Sequence, residues 1–133
     1  VKKSYKGLIM PQSNVNPRKL RLAEAILHIV QSAIIFEVEH KDIHKTTFIN
    51  RVEISDDKKY AKIFVVPGSS DIAKIENEID ALNKISGFFR KKIASEIKVR
   101  VVPELKFVFD AGYIKAESVL KTLNNLNNED NPQ

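Results

Sequence analysis

His40 and His44 stand four residues apart, a spacing that on a helix would bring two imidazoles to one metal ion. Their surroundings, EVEHKDIHKTT, have the composition of a hydrophilic connection instead. The chain has no cysteine, so Glu37, Glu39 and Asp42 are the only further ligand types nearby. His28 falls on the polar side of a helical pattern and reads as a solvated residue. Asp56 and Asp57 form a carboxylate pair of the sort that can divide acid and base roles, but they sit in SDDKK between two apolar runs. Aspartate there bonds its own backbone and makes a turn. The phosphate loops GxxxxGKS and GxxxxGKT, the dinucleotide pattern GxGxxG and the nucleophile pattern GxSxG do not occur in a chain with four glycines. We therefore expect no enzyme, no metal, no cofactor and no small-molecule substrate.

Charge points elsewhere. A net charge of +5 and a pI near 9.4 suit a polyanionic partner. Lys2, Lys3, Lys6, Arg18, Lys19 and Arg21 precede the first acidic residue, Glu24, and a second basic segment holds Arg90, Lys91, Lys92, Lys98, Arg100 and Lys106. The sharper signal is that Arg90, Lys91 and Lys92 come just after Ser86-Gly87, past Phe88-Phe89, inside a helical pattern. A bend lets a backbone approach a phosphate, and adjacent cations neutralise it. Tyr60, Phe64, Phe107 and Phe109 could stack bases, as aromatics on RNA-binding sheets do, but most of them fit buried positions.

The elements that must position these residues follow from periodicity. Residues 1–16 lack an apolar pattern and read as a flexible basic arm. Asn16-Pro17 starts a helix, with asparagine as the cap and proline at its first position. Leu20, Ala23, Ile26, Leu27, Val30, Ala33 and Ile34 form its apolar stripe, which ends near Phe36. Phe48, Asn50, Val52 and Ile54 then alternate with Ile49, Arg51, Glu53 and Ser55, which predicts a strand that buries one of these sets. The short SDDKK link to YAKIFVV predicts an antiparallel hairpin. Asp71 opens a second helix, Ser86-Gly87 breaks it, and Phe89, Ile93 and Ile97 continue as a third. VRVVPELKFVFD is a third strand, which Pro103 restricts to an edge or a bulge. A C-terminal helix from Gly112 to about Leu126 and a polar tail close the chain. The result is an α+β domain at residues 17–111 with a three-stranded mixed sheet and its helices on one face. The longest apolar runs are far short of a membrane span, and no leader opens the chain, so a soluble cytoplasmic protein is expected.

Four blocks, RKLRLAEAI, VEISDDKKYAKIFV, LNKISGFFR and RVVPELKF, occur in an order and spacing that resemble bacterial ribosome-binding factor A over about Arg18 to Phe109. The resemblance implies a type II K-homology-like fold in which a kinked helix pair with an Ala-x-Gly element replaces the usual GxxG loop. It implies a non-enzymatic, monomeric assembly factor that binds the small ribosomal subunit and its rRNA during late maturation, with roles in rRNA processing and growth in the cold. Two departures stand out: Ile85 occupies the place where the family usually has the kink alanine, and KDIHK lacks the Pro-Arg often found after the first helix.

Matched position by position, Arg18 and Arg21 correspond to the family's basic first helix, Ser86, Gly87 and Arg90 to the kink, and Arg100 to the start of the third strand. Lys91 and Lys92 join these RNA contacts on charge alone. Arg90 and Arg100 have a structural alternative, in which each guanidinium bridges carboxylates or carbonyls. Gly87→Ala is expected to destabilise the fold, weaken binding, or both. Two other readings are a protein-interaction module built on the apolar AIIF helix end and a small DNA-binding domain.

Overall fold

The computed structural model describes residues 16–112. Helix α1 (Pro17–Phe36) leads to a hairpin of β1 (Phe48–Ile54) and β2 (Tyr60–Val66). Helices α2 (Ile72–Lys84) and α3 (Ser86–Glu96) then return the chain to β3 (Glu104–Phe109). β1 and β2 pair antiparallel, β2 and β3 parallel, and β2 is central. The expected α+β architecture with a mixed sheet is the one observed. The expected arm, apart from Asn16, and the expected C-terminal helix and polar tail beyond Gly112 lie outside the described residues.

Local chemistry explains most element limits. The Asn16 side chain accepts the Arg18 N–H at 2.9 Å and Pro17 follows it, so α1 begins as its cap dictates. Ile26, Ile29, Val30, Ala33 and Ile34 form the buried stripe, while Arg21, Glu24, His28 and Ser32 face solvent. In the hairpin turn the Ser55 hydroxyl donates to Asp57 at 2.7 Å, and the Lys59 N–H donates to the same oxygen at 3.0 Å. These two bonds, the serine's first, hold the Asp57 carboxyl below the usual range. Lys58 takes a left-handed φ of 60° to close the loop. Asp56 turns away and pairs with Lys19 at 2.9 Å, so the two aspartates do different work.

β1 departs from simple alternation. Ile49 pairs with Val65 but Arg51 pairs with Phe64, so Asn50 is an extra residue in a bulge. The bulge reverses the face: Ile49 is buried ahead of it and Ile54 after it, and Phe48 is 48% exposed. The expected set from Phe48 to Ile54 therefore does not share one buried side. β3 is shorter than its apolar pattern, because Val101 is 60% exposed and pairing starts only after Pro103. Pro103 stands just before an edge strand, where its missing N–H removes no ladder bond.

Both sheet edges are covered by side-chain amides. Gln31 of α1 donates to the Thr47 carbonyl at 2.9 Å and accepts the Ile49 N–H at 2.7 Å. Asn83 of α2 does the same at the opposite edge, donating to the Phe107 carbonyl at 3.0 Å and accepting its N–H at 2.8 Å. Each amide supplies the donor and acceptor that a further strand would have offered. At the top of the sheet, the buried Glu78 carboxylate accepts the His44 N–H at 2.8 Å, the Gly68 N–H at 3.3 Å and the Thr47 hydroxyl. One acid thus ties α2 to both loops that flank the hairpin. A Cβ on Gly68 would lie 2.8 Å from His44 Cβ and from Thr46 Oγ1, so this joint is built around a glycine.

Candidate nucleic-acid interface

α2 and α3 are separated by one residue. Ile85 adopts φ −101° and ψ 20°, its N–H still reaches the Ala81 carbonyl at 3.1 Å, and its carbonyl accepts the Phe88 N–H at 3.0 Å. Its side chain packs against the core. The break therefore sits at Ile85, one residue before the expected Ser86-Gly87, and the isoleucine that departs from the family's alanine is itself the hinge residue. Ser86 and Gly87 are the first two residues of α3. No side chain caps that end and no acidic residue occupies its first turn, so the positive end of the helix dipole is not neutralised locally.

Gly87 is not required by the fold. Its φ is not positive, and a Cβ built on it meets nothing within 4 Å. The expected loss of stability in Gly87→Ala is thereby overturned. Thermal melts should show the variant as stable as the parent or more so, by up to about 1 kcal/mol from helix propensity. A lower melting temperature would mean that the helix junction is tighter than its geometry implies.

The cations near this junction divide into two groups. Arg90 donates through Nε to the Pro103 carbonyl at 3.1 Å and through a terminal nitrogen to the Val102 carbonyl at 3.0 Å. These two bonds fix α3 to the segment that starts β3. Lys92 pairs with Glu37 at 2.6 Å and Glu96 at 3.5 Å. The Glu37 bond, with Glu96 adding to it, holds this ammonium above the usual lysine range. Lys91 and Arg100 are exposed and have no hydrogen bond or ion pair among the described residues, and Arg90 keeps the Arg100 loop beside α3.

Arg18 and Arg21 lie on the solvent side of the first turns of α1, where Lys19 between them anchors the helix to Asp56. No hydrogen bond or ion pair among the described residues joins them to the α2–α3 junction. Two further residues at the junction escaped sequence reasoning. Lys84 is an exposed cation in the last turn of α2, and Phe88 is 38% exposed beside Gly87 with its ring set edge-on to Phe89 at 5.3 Å. Their nearness to Ser86-Gly87 was the available signal. Of the other aromatics, Phe107 is buried while Tyr60 is 56% exposed.

A family model described as Ribosome-binding factor A matches residues 18–123. The chain belongs to the ribosome-binding factor A family. A Fusobacterium nucleatum member is 29% identical over 110 residues, covering 79% of this chain and 92% of that protein. One from Shewanella loihica is 31% identical over 98 residues, covering 74% and 69% respectively. The crystal structure of ribosome-binding factor A from Thermus thermophilus superposes with a TM-score of 0.54 at 17% identity, over 69% of this chain and 90% of that one. A solution structure of a putative Thermotoga maritima member gives 0.50 at 27% identity, over 68% and 80%. These neighbours establish the K-homology-like fold inferred from the sequence blocks. No helix among the described residues is long and apolar enough to cross a membrane.

Proposed function

We propose that this chain is a non-enzymatic assembly factor that binds the small ribosomal subunit through its rRNA during late maturation, including rRNA processing and growth in the cold. It acts as a cytoplasmic monomer. The observation that carries this reading is the α2–α3 junction, an uncapped helix start with open space at Gly87 and exposed cations at Lys84 before it and Lys91 one turn after it, neither of them paired among the described residues. Family membership supports it, and so does a Thermus thermophilus homology model of ribosome-binding factor A, fitted into the map of a 30S complex, which shares this fold at 18% identity. The Ser86 and Gly87 backbone approaches a phosphate, Lys84, Lys91 and Arg100 neutralise its neighbours, and Arg18 and Arg21 form a second contact on α1. Arg90 and Lys92 act through the fold, by keeping β3 and α1 in place against α3.

Sedimentation with isolated small subunits over a range of salt tests this. Affinity should fall steeply with salt, and the combined Arg18→Ala, Arg21→Ala, Lys91→Ala variant should lose about one unit of slope for each cation removed. An unchanged slope would place the RNA surface elsewhere. Binding with little salt dependence would favour the protein-interaction reading, for which Phe36, 78% exposed at the end of α1, is the natural anchor.

A further inference from the structure

The apolar stripe of α2 outruns the core it packs against. Ile72, Ile75, Ile79 and Leu82 recur at helical spacing, and their cover falls away toward the start of the helix: Leu82 is fully buried, Ile79 and Ile75 are half-buried, and Ile72 is 74% exposed. β3 does the same at its far end, where Leu105 and Phe107 are buried and Phe109, next in that row, is only half-buried. Asn83 clamps the two elements together at Phe107. Beyond that clamp a groove opens between them, with Ile72, Ile75, Ile79 and Phe109 as its apolar lining and Glu76 and Asp80 along it. Both carboxylates are exposed, and neither has a hydrogen bond or ion pair among the described residues.

We propose that this groove docks a segment of a partner protein that carries both apolar and cationic side chains. Charge selects the occupant. The chain as a whole is +5, yet the stretch from Asp71 to Asp80 holds four acids and one lysine, and no described residue lining the groove is cationic. A phosphate backbone lying here would meet Glu76 and Asp80 as like charges, whereas lysine or arginine flanking an apolar side chain seated on Ile72 and Ile79 pairs with them. The segment docks by its side chains and does not extend the sheet, because Asn83 already holds the N–H and the carbonyl of Phe107 on that edge. α2 thus offers two ligand chemistries, an acidic apolar groove along its first turns and the exposed cation Lys84 in its last. This contact does not rest on the rRNA reading, since it concerns a different surface and a different partner.

Titration of the full-length chain, with its isoleucine methyls observed by NMR, tests the proposal. The probe is a synthetic peptide of about twelve residues with leucine at i, i+3, i+4 and i+7 and lysine elsewhere. It should shift the Ile72, Ile75 and Ile79 methyls saturably and leave Ile26 and Ile93 in the core unmoved. Glu76→Gln combined with Asp80→Asn should weaken it by about tenfold or more, Ile72→Ser should do the same, and Lys74→Gln should not weaken it. All four positions are exposed, so melting of these variants reports any loss of fold separately. Five results would overturn the idea: no shift at the three groove methyls, equal binding of the peptide with glutamate in place of lysine, equal binding by the double variant, tighter binding at these methyls by an oligouridylate of about eight nucleotides, and groove methyls already contacted in the free protein by residues 1–15, residues 113–133 or a differently labelled second copy.

Discussion

Glu78→Ala should lower stability by about 3 kcal/mol, because it leaves three donors without their acceptor at once. The His44 N–H, the Gly68 N–H and the Thr47 hydroxyl all converge on this carboxylate, whose side chain is fully buried. A buried donor that loses its partner costs about 1–3 kcal/mol, and the lower end applies where a loop can shift to let water in. For a domain of this size the change corresponds to a fall in melting temperature of roughly 12–24 °C. Glu78→Gln retains one acceptor oxygen and should lose much less. Thermal and urea melts of the two variants check this. An alanine variant that melts within about 2 °C of the parent would show that the two loops hold their places without the acid.

Arg90→Ala should cost about 2–4 kcal/mol, from two charge-assisted bonds to backbone carbonyls at about 1.5–3 kcal/mol each, reduced by partial exposure. The loss falls on one place: Val102 and Pro103 are released, and the edge strand that follows them loses its fixed start. Hydrogen exchange should quicken along β3 before it quickens in the hairpin. Arg90→Lys should rescue little, since an ammonium cannot span two carbonyls as the planar fork does. Subunit binding by the folded fraction should keep its salt slope. If Arg90→Ala instead melts like the parent and lowers that slope by about one unit, Arg90 contacts phosphate and its carbonyl bonds are incidental. The comparison with Lys91, its exposed neighbour, separates a cation that builds the site from one that meets the ligand.

What the sequence by itself determined is what short-range physics controls. The Asn16-Pro17 start of α1, its apolar stripe, the SDDKK hairpin turn and the break between α2 and α3 all depend on groups within a few residues of one another. The family blocks then named the fold, because their order along the chain carries the order of its elements. Only the tertiary structure decided which face β1 buries, since the bulge at Asn50 is set by pairing with β2 and not by the alternation of side chains. It also decided which cations are committed. Arg90 and Lys91 are adjacent and alike in charge, yet Arg90 meets carbonyls 12 and 13 residues away while Lys91 points into solvent. Glu78, Gln31 and Asn83 had no local signature either, because the backbone groups they satisfy lie between 10 and 34 residues distant in sequence. Gly87 shows the same division: its residue type reads as a helix break, and only the packed helices reveal that the space beside it is open and that the fold does not need a glycine there.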